Sequence, residues 1–254
     1  MDIKGKTILI TGGSAGLGLE AAKQFLQAGA KVIITGRSQQ KLDKAKLMYP
    51  GIVAIKSDVS DPADLDALFA QIADLGGIDI LYNNAGTGSP SLDLSRQDEQ
   101  HFDNASYEMN INYLAVIRLV NKFIVMLETR ESAAIINTTS VLSYLPSVLA
   151  PTYSASKAAL RFYTESLRKH LEIKGSKVKV FELLPPLVDT EMTEAWEGKK
   201  ITSTEVIRTL ISGLQKDHYT IRVNVTKVLY AINRLSPALA FNMLNQKSLF
   251  HLIK

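Results

Sequence analysis

The sequence predicts an α/β chain: a doubly wound parallel sheet of about seven strands with helices on both faces, all in one domain. Three observations predict it. Short β-branched runs alternate with longer stretches of helical period along most of the chain. The strand-like runs are apolar enough to be buried on both faces, as parallel strands are. The 254 residues suit one α/β domain, and no Pro/Gly/Ser-rich linker, low-complexity tract or internal repeat divides them.

In chain order, TILIT (7–11) reads as the first strand, followed by the turn TGGSAGLG and a helix over 16–28. KVIIT (31–35) leads through TGRS into a helix over 39–49, and IVAIK (52–56) leads through SDV into one over 62–75, for which Asp61 is well placed as the cap. IDILYNN (78–84) runs into NNAG and a long helix over 104–129. AAIINTT (133–139) ends in TTS before a helix over 152–174, and KVKVFELL (177–184) ends in LPPLVDT. Every glycine-rich or polar motif thus follows a strand. Open parallel sheets bind ligands there, outside the carboxyl ends of their strands where strand order reverses.

Composition excludes several chemistries. With no cysteine there is no disulfide framework, thiol nucleophile or thiolate zinc site, and His101, His170, His218 and His251 are too scattered for a local metal-ligand pattern. No metal site is expected. The apolar start before the first glycine turn is too short for a signal-peptide core, and no run approaches the roughly 18 consecutive apolar residues of a membrane span. A cytoplasmic protein is expected. Of the formal charge of +4, Ile201–Lys254 carries seven Lys or Arg against two Asp or Glu. That excess suits either an anionic partner or a modestly basic solvated face. No long basic run or aromatic–basic interleaving marks nucleic-acid recognition.

In TGGSAGLG, Gly12, Gly16 and Gly18 fall between a strand and a helix, with Ser14 and Leu17 among them. Absent side chains let a backbone turn tightly and approach a pyrophosphate, whose charge the helix N-terminus favours. The strand before and the helix after are the context a Rossmann-type dinucleotide-binding turn requires, a plain strand-to-helix turn being the alternative, and the spacing T-G-x-x-x-G-x-G differs from the common G-x-G-x-x-G. After the second strand, an NAD site usually shows an acidic residue for the ribose hydroxyls. Here Gly36 leaves that place empty and Arg37 follows, whose guanidinium suits a 2′-phosphate. NADP(H) is therefore favoured over NAD(H), with Ser14 and Ser38 as hydroxyl donors, although Ala15 is not basic. Asp58 and Val59, after the third strand, are placed to meet the adenine.

Taken together, TGGSAGLG, Asp58, NNAG (83–86), Asn112 in NINYLA, Ser140 in NTTS, the pair Tyr153 and Lys157 in YSASK, and LPPLVDT resemble the short-chain dehydrogenase/reductase family over residues 5–192. The resemblance implies hydride transfer between a nicotinamide and a carbonyl or alcohol substrate. Tyr153 would exchange the proton, with Lys157 and the oxidised nicotinamide lowering a phenol pKa that is ordinarily about 10. Lys157 would also bond the nicotinamide ribose. Ser140, thirteen residues before Tyr153, would orient the substrate oxygen, with Ser143 as its competitor. Asn112 would hold a water in a proton relay. Asn83 and Asn84 would tie sheet backbone together, while Ala85 and Gly86 allow the cofactor close. Pro186 stands where many members carry glycine, but Pro185, Val188 and Thr190 keep the family spacing.

The resemblance also places a substrate lid at about 191–215, where Trp196 could wall a ligand or pack a helix. Leu142, Tyr144, Leu145 and Leu149 would contribute an apolar wall. The extension at about 220–254 divides at a proline into two helix-like pieces, read as a helix docked on the sheet edge, a subunit interface or a weak peripheral membrane contact. This tail and ELLPPLVDTEM are also similar to a bacterial subgroup of DltE-like oxidoreductases. Apolar residues on more than one face of YEMNINYLAVIRLVNKFIVML suggest a homodimer or homotetramer. Two function classes follow: a reductase or alcohol dehydrogenase, or a non-catalytic NADP sensor or scaffold, possibly at the cell envelope or a membrane surface. Members of the second class commonly lose the tyrosine or lysine, and both remain here.

Overall fold

The computed structural model describes residues 1–89, 92–194, 196 and 198–246. The seven strands are β1 (Thr7–Ile10), β2 (Lys31–Gly36), β3 (Ile52–Lys56), β4 (Ile80–Asn83), β5 (Ala133–Thr138), β6 (Val178–Leu184) and β7 (Thr220–Arg222). They form one sheet in the order β3-β2-β1-β4-β5-β6-β7, parallel throughout. Strand order reverses between β1 and β4, which opens a crevice at the carboxyl edge of both.

The helices are α1 (Gly16–Gln27), α2 (Gln39–Met48), α3 (Pro62–Asp74), α4 (Gln100–Met109), α5 (Ala115–Glu128), α6 (Pro151–Ile173), α7 (Ser203–Gln215), α8 (Val225–Leu235) and α9 (Pro237–Leu244). One apolar cluster joins α1 and α7 to a sheet face through Phe25, Ile34, Tyr82, Phe181 and Leu210, and the other joins α3, α5 and α6 to the opposite face through Leu68, Leu81, Phe123, Ile135 and Leu160. Parallel strands expose neither face to water, which is why their sequences read as apolar runs. Asp61 caps α3, accepting the Ala63 N–H at 2.8 Å.

Three details differ from the sequence reading. The long fourth helix is interrupted by a π turn at Asn110–Leu114. By length and composition the run Gln100–Glu128 could cross a membrane, but in the fold it covers the sheet. The stretch read as a lid divides: Glu191–Thr193 makes one 3-10 turn, whereas α7 buries Val206, Ile207, Leu210 and Leu214 in the core. The tail covers more than the sheet edge: Arg222 of the edge strand β7 lies 3.7 Å from the ring centroid of Tyr230 in α8, and α8 and α9 also pack over the segment after β5, where Tyr144 Oη donates to Thr226 O at 3.2 Å and Asn245 bonds Pro146 O at 3.0 Å and Val148 N at 2.7 Å. The reading of the extension beyond residue 246 lies outside the described residues.

Candidate active site at the carboxyl end of the sheet

The turn after β1 is pressed against the segment after β4. Thr11 Oγ1 accepts the Asn84 and Ala85 N–H groups at 3.1 and 3.0 Å, and Asn84 Nδ2 donates back to Thr11 O at 3.0 Å. Gly12 has φ +64°, and a Cβ there would stand 2.9 Å from Ala85 Cα. A Cβ on Gly18 would come within 2.3 Å of Gly12 O. No side chain caps α1, so its first N–H groups remain available, and Leu17 packs inward behind them. Gly16 faces Thr190, brought from beyond β6; Val188 bridges to Ile201, and Pro185 O accepts the Val141 N–H at 3.1 Å. Asn83 Nδ2 donates to Asn137 Oδ1 across two strands at 2.8 Å, so both asparagines tie backbone or strand to strand.

At the end of β2, a Cβ on Gly36 would stand 2.8 Å from Ser14 Oγ. The serine occupies the space an acidic side chain would need. Arg37 is exposed and donates to Tyr107 Oη at 2.9 Å; that bond, with the charge of Asp58, holds its pKa above the usual value. Ser38 Oγ caps α2 by accepting the Lys41 N–H. Asp58 Oδ1 accepts the Ser60 N–H and hydroxyl, and Val59 is buried. An open groove of ≈ 300 Å³ runs past Ser14, Ala15, Gly16, Lys41, Lys44 and Glu191. Lys41 Nζ meets Glu191 at 2.6 Å across it. Neither lysine belongs to a motif of the sequence.

At the other end, α6 carries Tyr153 and Lys157 one turn apart. Lys157 is 3% exposed, its Nζ lies 5.7 Å from the Tyr153 ring centroid, and it donates to Thr138 O at 2.9 Å. Burial lowers its pKa to about 8. Burial likewise pushes the Tyr153 phenol up to about 12, against a hydrogen bond from Ser140 that pulls it down. The protein's own groups thus hold the phenol above its ordinary value, because desolvation outweighs the Ser140 hydrogen bond. Ser140 Oγ also accepts the Leu142 N–H at 3.1 Å, whereas Ser143 Oγ is committed to Ser140 O at 2.7 Å.

The π turn aims Asn112 inward, with no exposed surface. Its Oδ1 accepts the Thr87 N–H at 2.9 Å, and its Nδ2 donates to Thr87 O at 2.9 Å and Ser156 Oγ at 3.0 Å. Fixing the backbone beside Gly86 is therefore what this side chain does; only one spare lone pair on Oδ1 is left for a water. A Cβ on Gly86 would sit 3.2 Å from Asn112 Oδ1 and 3.4 Å from Lys157 Nζ. Of the expected wall, Leu145 and Leu149 belong to the buried interior, while Leu142, Tyr144 and Trp196 are partly exposed.

Among known families, a model described as short chain dehydrogenase matches residues 6–200. The "Uncharacterized oxidoreductase DltE" of Bacillus subtilis (strain 168) is 35% identical over 223 residues, covering 85% of this chain and 87% of that protein. A short chain dehydrogenase from Burkholderia cenocepacia J2315, solved in complex with NADP, superimposes with a TM-score of 0.85 at 25% identity, over 96% of this chain and 99% of that one. A short chain dehydrogenase/reductase from Burkholderia phymatum, solved with NAD, gives a TM-score of 0.80 at 22% identity, over 92% and 96%.

Proposed function

The chain belongs to the short-chain dehydrogenase family, and from that premise we propose that it is an NADP(H)-dependent oxidoreductase acting on a carbonyl or alcohol substrate, with Tyr153 as its acid–base group. The observation that carries this reading is the convergence of Ser140, Tyr153, Lys157 and Asn112 on one end of the sheet, beside the glycine turn. A non-catalytic sensor or scaffold has no need of a lysine buried against that tyrosine.

The residues fit a dinucleotide. The backbone approach at Gly12 and Gly18 leaves no room for side chains, as a pyrophosphate cradle requires. Ser14 fills the place of a ribose-reading acid, and Arg37, with Lys41 and Lys44 nearby, favours a 2′-phosphate. The nicotinamide, when bound, supplies the two-electron chemistry by exchanging a hydride with the substrate carbon. Lys157 would hold the adjoining ribose, Ser140 would orient the substrate oxygen, and Tyr153 would give that oxygen its proton or take it back. Asn112 keeps Gly86 and Thr87 where the cofactor edge would lie. The same reading makes the protein cytoplasmic and a homodimer or homotetramer, supported by the outward apolar side chains Leu114, Val125, Phe162 and Ile173 of the long helical run and α6.

Turnover of a panel of apolar ketones and aldehydes, followed at the nicotinamide absorbance with wild type and Tyr153→Phe, tests the assignment. A fall in kcat/KM of about 10²–10⁴-fold, the usual worth of a positioned acid, is expected. A variant that keeps full turnover of the same substrate would remove Tyr153 from the chemistry.

A further inference from the structure

Glu108 lies in α4, one helical turn before Asn112, and is 1% exposed. A glutamate in the middle of a helix ordinarily faces water. This one turns inward: Oε1 accepts the Ser89 N–H at 2.6 Å, and Oε2 is buried without a hydrogen-bond partner among the described residues. Leaving half of a buried carboxylate unpaired is unfavourable, so its place in the fold calls for a reason.

The segment Gly86–Ser89 supplies one. Two side chains a turn apart hold it, Asn112 on Thr87 and Glu108 on Ser89. Its other side rests on the reacting pair: a Cβ on Gly86 would meet Lys157 Nζ at 3.4 Å, and one on Gly88 would meet Tyr153 Cδ2 at 3.6 Å. Charged groups reach the phenol from two elements, Lys157 from its own helix α6 and Glu108 from α4. Ser140 at the end of β5 brings only a hydroxyl, and the 86–89 segment only backbone and the small side chains of Thr87 and Ser89.

We propose that Glu108 is a positioning residue for proton transfer: it pins the 86–89 segment over Tyr153, and its carboxylate opposes formation of the phenolate there. This rests on the reading of Tyr153 as the acid–base group. A carboxylate held beside the phenol disfavours phenolate, in the same direction as burial. In line with this, Glu108 is one of the influences that hold the Tyr153 pKa above its ordinary value.

Glu108→Gln separates charge from clamp, because the amide oxygen still accepts from Ser89. The phenol can be followed directly in the full-length protein labelled with ¹³Cζ-tyrosine, with and without NADP⁺, using Tyr153→Phe to assign the signal. In Glu108→Gln the Tyr153 transition should fall by about one pH unit, a roughly tenfold rise in phenolate at fixed pH. The alkaline limb of kcat/KM for reduction and the acidic limb for oxidation should move down with it. A folded Glu108→Gln whose Tyr153 transition stays at the wild-type value overturns the proposal, even if thermal stability or turnover drops. Should that variant not fold, neutral Glu108→Met, of similar length, removes charge and clamp together, and a Tyr153 transition that still stays at the wild-type value overturns the proposal. Full activity in Tyr153→Phe would instead defeat the acid–base reading, while the titration would still report on Glu108.

Discussion

Replacing Lys157 by methionine should abolish turnover yet flatten a pH dependence of stability that the wild type possesses. The ammonium is 3% exposed, and its pKa falls from 10.5 to about 8 on folding. Each unit is worth about 1.4 kcal/mol, so a charged Lys157 costs the fold about 3 kcal/mol below pH 8. Between the folded and unfolded values, the unfolded chain binds more protons than the folded one. Stability must therefore rise with pH from about 8 toward 10.5 and lose that gain below 8. The window from pH 8 to 10 is clean, because the raised phenols of Tyr82, Tyr144 and Tyr153 begin to cost stability only above the ordinary phenol value of about 10. At pH 7 the variant escapes the ammonium's penalty but leaves Thr138 O without its donor, worth about 1–3 kcal/mol. It should therefore match or exceed the wild type there by up to about 2 kcal/mol. Urea melts at pH 7, 8, 9 and 10 measure this: the wild type should gain about 2–3 kcal/mol relative to Lys157→Met across the window. Parallel curves would refute the argument.

Gly36→Asp should weaken NADPH binding at least about tenfold, because its Cβ meets Ser14 Oγ at 2.8 Å and its charge opposes a 2′-phosphate, while NADH binding holds or improves. Unchanged NADPH affinity by fluorescence titration would mean that this end of the groove does not read the cofactor. Light scattering at micromolar concentration should report a dimer or tetramer, since exposed Val125, Phe162 and Ile173 leave apolar helix surface uncovered. A monomer would count against that interface.

Six strands were legible because parallel strands buried on both faces are written as continuous β-branched runs, and the glycine motifs between them mark where backbone must approach closely. β7 was not, since Thr220–Arg222 spans only three residues, of which just Ile221 is buried. The π turn around Asn112 leaves no trace in a helical period, because inserting one residue into a long apolar helix shifts the stripe by less than the stripe's own width. At the site, Tyr153, Lys157 and Ser140 were singled out by the resemblance of the ordered motifs to the family, not by any one spacing. Glu108, Glu182 and the groove lysines were not legible. A lone glutamate in a helix or strand looks solvated, and only the tertiary fold reveals that Glu108 meets Ser89 and that Glu182 meets Thr139 at 2.8 Å. The desolvation that raises the Tyr153 pKa was not legible either, because the burial of a helical tyrosine is set by the tertiary fold.

The most direct test of the central claim is titration of the purified protein with NADPH and with NADH, following nicotinamide fluorescence and repeating both with Arg37→Asp. The account requires saturable binding of NADPH, tighter than NADH by about tenfold or more, with that preference lost in the variant as a charge-assisted contact to the 2′-phosphate disappears. No saturable binding of either nucleotide would contradict the account, and equal affinity for both would contradict its NADP assignment.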